Sequence, residues 1–588
     1  MIRRRAIALS LLFAAFACAQ NDEFILKAMK DEMQRSKTLR LPGLDAPYYT
    51  EYLISDADLV TMSATWGALL TESHTPLRIQ AVKVRVGDYN FDNENYVFSE
   101  AFGGARYDTE QLPLETNYLG LRHILWLATD RAFKTAEEGI ARKRSALRNV
   151  SLPDPLPDFS KAQPVQALLP VPRKALDEPA WRKRVVDLSA VFATYPAVQT
   201  SDVEFQSVQS TNYFLNSEGA EVRSPDNVSF FRMRAYAQAR DGAMVRDSEL
   251  PAAWDVNGLP NDAELKRVAA RVAETVTALA SAPQGYAYSG PVLFEGSSGA
   301  QLFGQLLGDN LKLQRKPVPE PGRPVPYLPS ELETRIGSRI LPDWMDVVDD
   351  PTQTQYGGQK LLGYYQYDLE GVAARPVTIV EKGVLKDFLR TRTPVLKVLE
   401  AGSNGHGRLP GMHGAAAPAI GNLFVRASQT VPAADMKKKL IEMCKQRNKP
   451  YGIIVRKLDW PSSANLDELR REMTSMAMSG GGGRPVSMPV LVYRVNVDGT
   501  EELIRGVRFR GLSTRSFKDI VAASDQPYVY NFMDSLAPFA VMGGSGFVTN
   551  ASVVAPGVLF DELELEQILD ETPNPPLIPP PPLQQANE

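Results

Sequence analysis

One stretch of the chain has residue types in an order that could present a catalytic carboxylate. The apolar run Pro291–Phe294 leads directly to Glu295, the small residues Gly296–Gly299 follow, and leucines at helical spacing then indicate a helix. A strand that delivers a carboxylate to a helix is a common way to present a general base, because small residues let a substrate or metal ion approach the backbone. The structural alternative is a strand, a tight turn and a core helix, with Glu295 solvated where the helix begins.

This stretch resembles the place where the TldD/PmbA family, classed as metallopeptidases, carries its zinc motif. That motif reads roughly His-Glu-Ala-x-Gly-His-x-Leu-Glu-Gly-Asp on a helix after an apolar strand, so that two imidazoles share the metal and the Glu polarises its water. Phe294 stands at the first His and Glu295 at the Glu. Gly299 or Ala300, depending on a one-residue slip, stands at the second His. The resemblance makes Glu295 the candidate catalytic residue, although both imidazoles are replaced.

Three downstream passages resemble the same family in the same order. They are the turn Asp368–Gly371 with the strand pair that ends at Leu389, the loop Ser403–Arg408, and the hairpin Val490–Arg510 with the residues that follow it. Together with the first stretch they extend the resemblance over residues 230–566. Their order and spacing identify the family better than any single motif does.

The resemblance implies a peptide-sized cleft near Glu295. The candidate binding residues at this cleft are Phe294, Gly299, Ala300, His406 and Arg408. His406 also shares a glycine-rich loop with His413, and two interpretations of this pair remain open. They are either weak metal ligands or solvated loop histidines.

A catalytic zinc site needs three protein ligands of nitrogen, sulfur or oxygen type. Active family members are expected to add a cysteine near the C-terminus, but the matching region Met542–Pro556 contains neither Cys nor His. We therefore predict no metal ligands and no bound cofactor in this chain, zinc being the cofactor of the active members. The resemblance is accordingly to the zinc-less PmbA/TldE-type members.

Composition limits the function classes. The chain has 588 residues, which is enough for more than one domain. Its formal net charge of −4 does not indicate a basic surface that binds nucleic acid. Cys18 and Cys444 are the two cysteines and cannot form a disulfide framework. No stretch after the N-terminal segment is long and apolar enough to predict a transmembrane span.

The first twenty residues read as a secretory signal. Arg3–Arg5 form a positive region, Ala6–Phe16 a short apolar core, and Ala17-x-Ala19 or the preceding small residues a cleavage site. We therefore expect an exported protein, periplasmic or extracellular, with lipidation of Cys18 as an alternative. Export is a departure from the family, whose best-known members look cytoplasmic.

The elements around these motifs predict an α+β protein. We expect a signal peptide over 1–20, an N-terminal helix-on-sheet domain over 21–285 with a proline-rich linker at 151–175, a β-rich C-terminal domain over 286–570, and a proline-rich disordered tail over 571–588. Asn261 or Asp262 is predicted to cap a long amphipathic helix that leads into the Pro291–Phe294 strand.

Three functions fit this sequence, and enzymatic activity is left open. The first is a zinc-less subunit or pseudo-peptidase in peptide processing, which binds a peptide or unfolded segment beside a zinc-bearing TldD-like partner or in a homodimer. The second is an active metallopeptidase whose ligands are not recognised or come from a neighbouring subunit. The third is a non-enzymatic peptide-binding or scaffold protein. The missing His and Cys ligands favour the first and third.

Overall fold

The computed structural model of the chain describes residues 24–97, 110–148, 156–320, 327–397, 402–410, 415–459, 486–536 and 549–569. The predicted signal peptide, Cys18, His413 and the proline-rich tail lie outside these residues. Within them, no helix is both long and apolar enough to cross a membrane.

The first half of the chain builds an eight-stranded sheet with four helices. The helices are α1 (24–36), α2 (Tyr118–Leu147), α3 (Glu178–Ser189) and α4 (Asp262–Ser281). The strands are β1 (Pro47–Thr65), β2 (Ala68–Val86), β3 (Tyr96–Val97), β4 (Gln166–Leu168), β5 (Thr200–Asn216), β6 (Glu221–Pro225), β7 (Val228–Gln238), β8 (Met244–Glu249) and β9 (Ala252–Ala253). The sheet order is β2-β1-β5-β6-β4, β7 pairs with β5, β8 and β9, and β3 pairs outside this sheet with β11 (Val318–Pro319).

Helix α4 shows why this half folds as predicted. The Asn261 side chain accepts a hydrogen bond from the Glu264 backbone N–H, which caps the helix as the sequence predicted. Its apolar face then packs in one core with Phe205 and Phe231 of the sheet. Strands β1 and β2 form one long antiparallel hairpin, in which Pro47 pairs with Val86 and Thr65 with Ala68.

The second half builds an eleven-stranded sheet. Its helices are α5 (Ser297–Phe303), which continues through the π-helical turn Gly304–Gly308 into α6 (Asp309–Leu311), and α7 (Ala433–Gln446). Its strands are β12 (Met345–Asp349), β15 (Val377–Glu381), β16 (Val384–Leu385), β19 (Asn422–Ala427), β10 (Tyr288–Phe294), β20 (Tyr451–Leu458), β21 (Pro489–Asn496), β22 (Glu501–Ile504), β23 (Val507–Arg510), β24 (Ile520–Asp534) and β25 (Thr549–Gln567). Two small hairpins are β13 (Gln355–Tyr356) with β14 (Gln359–Lys360), and β17 (Gly407–Pro410) with β18 (Ala416–Pro418).

Strand β25 organises this second sheet. The order is β16-β15-β12-β19-β25-β10-β20-β21-β22, and both β23 and β24 also pair with β25. Strand β10 has a partner on each side, because it runs parallel to β20 and antiparallel to β25. This central position explains its apolar sequence, since both of its faces are covered. The α+β class predicted from the sequence is confirmed.

The proline-rich segment between α2 and α3 is extended and partly buried. Asp158 and Phe159 are each 2% exposed and enter the core, whereas residues 161–175 are exposed or half-buried, as expected for a linker. Asp158 pairs with Lys143 of α2 at 2.5 Å, and Phe159 lies under the guanidinium of Arg392, 4.0 Å from its ring centroid. The segment therefore connects the first sheet to the second half of the chain.

Candidate functional site

The motif turn places Glu295 outside the helix. Strand β10 ends at Phe294, and the Glu295 N–H still donates to the Val455 carbonyl of β20 at 2.9 Å. Gly296 then has φ 65° and ψ −130°, a conformation open essentially to glycine, and α5 begins only at Ser297. The order expected from the sequence is therefore present: an apolar strand, Glu295, a small-residue turn and then a helix. The glycine turn separates Glu295 from the second His position of the motif.

The carboxylate of Glu295 is paired with a fixed cation. The Arg456 Nε donates to Glu295 Oε2 at 2.7 Å, and its two terminal nitrogens donate to Glu501 at 2.8 and 3.1 Å. The guanidinium also lies 4.5 Å from the ring centroid of Tyr493. Burial opposes its charge, yet the hydrogen bonds to Glu501 and Glu295 raise the pKa of Arg456 above its ordinary value. Glu295 is therefore held as an ion-pair partner, which is a poor state for a general base.

At the two histidine positions of the motif, this chain has buried residues that leave no space for an imidazole. Phe294 is fully buried and stacks on Phe509 with ring centroids 5.5 Å apart. A Cβ added at Gly299 would lie 2.6 Å from the Pro556 carbonyl oxygen, so this position has no room for an imidazole. Ala300 is also fully buried. The residues at these positions therefore do not fit a zinc ion.

His406 is a buried structural residue, which corrects the interpretation of a solvated loop histidine. Its side chain is 0% exposed, with Nε2 3.0 Å from Asp349 Oδ1 and Nδ1 3.1 Å from both the backbone oxygen and Oδ1 of Asn404. The edge of the ring faces Tyr365 at a centroid distance of 6.2 Å. Since both ring nitrogens already have oxygen partners, His406 has no free nitrogen for a metal ion.

Arg408 anchors the same loop from within. Its guanidinium donates to the backbone oxygens of Ile420 and Asn550 at 2.9 and 2.6 Å, and lies 4.1 Å from the Tyr365 ring centroid. Burial lowers the pKa of Arg408 relative to its ordinary value. The side chain therefore ties the loop to the start of β25 and does not face a cleft.

A cleft of about 900 Å³ lies between the two halves of the chain. The first half contributes residues 248–254 and 257–261 together with one side of α4, and the second contributes residues 358–362, 528–531 and Lys457. From the motif helix α5, Ser297 and Gln301 reach the cleft. The helix predicted from the motif is thus at the cleft, but the predicted binding residues Phe294, Gly299, Ala300, His406 and Arg408 are not among its lining residues.

Acidic and basic side chains are mixed along the cleft, which is lined by Glu249, Glu264, Arg271, Lys360 and Lys457. Lys457 Nζ lies 2.7 Å from Asp247 and 2.8 Å from Glu249, and donates to the Ser248 carbonyl at 2.7 Å. Burial raises the pKa of Asp247 to about 6, although the Lys457 ammonium acts in the opposite direction. The wall therefore carries no strong field of one sign, which suits a ligand with a neutral main chain.

Strand β24 brings an open sheet edge to the cleft. It pairs with β25 alone among the described strands, and its residues Tyr528, Val529, Tyr530 and Asn531 line the cavity. In an antiparallel pair, alternate residues direct their N–H and C=O groups away from the partner strand. The Asn531 side chain bonds the backbone of residues 360 and 362, and Val431 forms a bridge with Ser524 nearer the start of the strand. The part of the edge that faces the cleft lies between these two contacts. In the sequence, the alternating residues Tyr528 and Tyr530 are typical of a strand, but no family motif includes them.

Comparison with known proteins identifies the class. Residues 290–468 match the family model described as the PmbA/TldA metallopeptidase C-terminal domain. The fold resembles the crystal structure of TldE from Thermococcus kodakarensis, with a TM-score of 0.56 and 12% identity over 92% of this chain and 100% of that one. These comparisons support the resemblance to the TldD/PmbA family that the sequence motifs indicated.

Curated relatives support the same assignment over part of the chain. A metalloprotease of Methanothermobacter thermautotrophicus is 24% identical over 40% of this chain and 48% of its own length. A metalloprotease of Methanocaldococcus jannaschii is 31% identical over 14% of this chain and 17% of its own length. The chain therefore spans about half or less of the curated relatives that it matches.

Proposed function

We propose that this chain is a zinc-less member of its family that binds an extended peptide segment in the cleft. The edge of β24 that faces the cleft carries the proposal, because an extended peptide can add to the edge of a sheet through main-chain hydrogen bonds. Main-chain pairing fits a wall on which acidic and basic side chains are mixed, as they are around Lys457. The peptide would lie beside Ser297 and Gln301 of α5, where the family motif begins.

The residues at the zinc-ligand positions of the family motif support a zinc-less role. Phe294 fills the first histidine position with a core side chain, Gly299 leaves no room at the second, and Glu295 is already paired with Arg456. Among the described residues, no group of three His, Cys, Asp or Glu side chains has metal-binding geometry. We therefore propose a role as a pseudo-peptidase subunit, in which a zinc-bearing TldD-like partner or another protein supplies the chemistry.

Peptide binding is tested with a pair of labelled peptides of the same unfolded sequence. One peptide has an ordinary backbone and the other is N-methylated at alternate positions, which removes main-chain donors without changing the side chains. We expect fluorescence anisotropy to show binding of the first and at least a tenfold weaker affinity of the second. Equal affinities would contradict pairing with β24.

The metal content distinguishes the zinc-less subunit from an active metallopeptidase. Elemental analysis of protein purified without a metal-binding tag is expected to give substoichiometric zinc. One tightly held zinc per chain would overturn the proposal. A partner subunit is tested by co-expression with a family member that has the complete His-Glu-x-x-x-His motif, where we expect co-purification and peptidase activity in the mixture alone.

Export is proposed from the leader sequence. The basic residues Arg3–Arg5 followed by the apolar run Ala6–Phe16 are typical of a secretory signal. We expect N-terminal sequencing of the mature protein to begin near residue 20, and a lipid-linked N-terminus at Cys18 would identify the lipoprotein alternative.

A further inference from the structure

A second cavity, the side pocket, opens beside the cleft. Its volume is about 350 Å³, at the lower end of the roughly 300–1,000 Å³ that ligand pockets span. Trp254, Lys360 and Leu361 line both the side pocket and the cleft. The two cavities are therefore adjacent, and these three residues form their shared wall. The volume suits one side chain better than a whole drug-sized ligand.

The walls of the side pocket are largely aromatic. Trp254, Tyr364, Tyr365 and Tyr367 are among its lining residues. The rings of Trp254 and Tyr364 meet edge to face, with centroids 6.2 Å apart and planes at 69°. Aromatic rings prefer such edge-to-face or offset contacts with one another, so this wall favours a further ring over a branched aliphatic group.

Hydrogen bonds hold these rings in place. The Trp254 Nε1–H donates to the Leu361 carbonyl at 3.3 Å, the Gln366 amide donates to the Tyr364 hydroxyl at 2.7 Å, and the Tyr365 hydroxyl donates to a backbone carbonyl 2.7 Å away. Because the walls are ordered before a ligand arrives, binding does not have to immobilise them, and less conformational entropy is lost.

The β13–β14 hairpin divides the side pocket from the cleft. Thr354 and Gln355 line the side pocket, Gly358 and Gln359 line the cleft, and Lys360 lines both. Lys360 brings a positive charge to the shared wall, and a cation can interact with the face of an aromatic ring. The hairpin therefore lies where a peptide would turn one side chain out of the cleft.

We propose that the side pocket is a specificity pocket that takes one aromatic side chain of a peptide whose main chain lies in the cleft. This inference rests on the function proposed for the cleft and adds the class of peptide. Its ligands are extended or unfolded segments that carry an accessible phenylalanine, tyrosine or tryptophan. Aromatic residues are buried in folded proteins, so this pocket selects segments that have lost or not yet gained their fold.

The test compares peptides that differ at one position, tryptophan in one and alanine in the other. We expect wild-type protein to bind the tryptophan peptide at least tenfold more tightly. Thr354→Trp places a ring inside the side pocket, and this variant should bind both peptides with the affinity that wild type has for the alanine peptide. Thr352→Trp, in the same loop but outside the lining of either cavity, should keep the full preference.

A second probe separates the pocket from the cleft. N-acetyl-tryptophanamide is a single aromatic residue, and we expect wild type and Thr352→Trp to bind it and Thr354→Trp to lose it. Equal binding of both peptides to wild type would overturn the specificity pocket and leave the cleft proposal intact. Absence of peptide binding would overturn both. If Thr354→Trp loses cooperative unfolding, Ser224→Phe fills the pocket from the other half of the chain and replaces it in the comparison.

Discussion

At the residue scale, Gly299 stands at one of the two positions that match the second His of the family motif, and it is tightly packed. Its α-carbon lies so close to the next strand that any side chain meets the Pro556 carbonyl. Gly304, further along the same helical segment, has a Val553 methyl as its nearest neighbour at 3.3 Å. The backbone of β25 cannot move as a side-chain methyl can, so the two glycines should respond differently to the same substitution.

We therefore predict that Gly299→Ala destabilises the protein by about 1–3 kcal/mol, the usual cost of overpacking a core. Gly304→Ala should cost less, because the gain in helix propensity of about 1 kcal/mol offsets a small adjustment of Val553. Urea unfolding followed by circular dichroism measures both. A larger loss for Gly304→Ala would contradict the close approach at Gly299.

Asp368 is a second residue whose environment is decided by packing. Burial first, and then the charge of Glu370, raises the pKa of Asp368 to about 8. In the folded protein Asp368 keeps its proton across the range in which an exposed aspartate has lost it. The folded state thus binds more protons than the unfolded state between about pH 4 and pH 8, and linkage makes its stability fall as pH rises.

We predict that the free energy of unfolding decreases from pH 5 to pH 8, with at most about 1.4 kcal/mol per pH unit from this one proton. Glu370→Gln removes the neighbouring charge, lowers the pKa of Asp368 and should flatten this dependence. Glu381→Gln, at an exposed carboxylate, is the matched control and should leave the slope unchanged. Urea unfolding midpoints at several pH values measure this pH dependence of stability. An unchanged slope in Glu370→Gln would refute its assignment to Asp368.

At the element scale, α4 forms one wall of the cleft at the end that Asn261 caps. Asn261 and Glu264 both line the cavity, and the cap satisfies an N–H that would otherwise lack a helical partner. The cap therefore fixes both the first turn of the helix and the shape of the wall.

We predict that Asn261→Ala lowers the stability by about 0.5–2 kcal/mol, and that Asn261→Asp restores most of it because aspartate accepts the same hydrogen bond. Urea unfolding compares the three proteins. The prediction fails if Asn261→Asp is as unstable as Asn261→Ala, because the loss would then come from something other than the cap.

At the scale of the whole molecule, Arg392 joins the two halves. Its side chain is 0% exposed and donates to the Ser160 carbonyl at 2.9 and 2.7 Å and to Glu218 at 2.7 Å. Glu218 belongs to the turn between β5 and β6, more than a hundred residues earlier in the chain. Since the cleft is formed by both halves, the position of its walls depends on contacts such as this one.

We predict that Arg392→Met destabilises the protein by about 3–5 kcal/mol, because the carboxylate of Glu218 is left without its buried partner. Arg375→Met, at an exposed arginine, should stay within about 0.5 kcal/mol of wild type. Urea unfolding measures the stability, and peptide affinity measures the cleft. A loss confined to affinity would mean that Arg392 positions the halves without stabilising them.

The sequence by itself determined the elements with a strong local period. Helix α4 with its cap and the hairpin of β21 and β22 both lie where apolar spacing and turn residues predicted them. The four motifs also identified the family, since their order is a property of the chain alone.

The tertiary structure decided the site. Trp254, Lys360 and Tyr528 meet at the cleft although they lie far apart in sequence, and no periodicity relates them. Nothing local reveals that His406 is buried against Asp349, or that Arg456 pairs with Glu295. Local sequence determines backbone conformation and amphipathic faces through short-range sterics and hydrophobic spacing. Which side chains line a cavity depends instead on how distant strands pack, and only the folded chain specifies that.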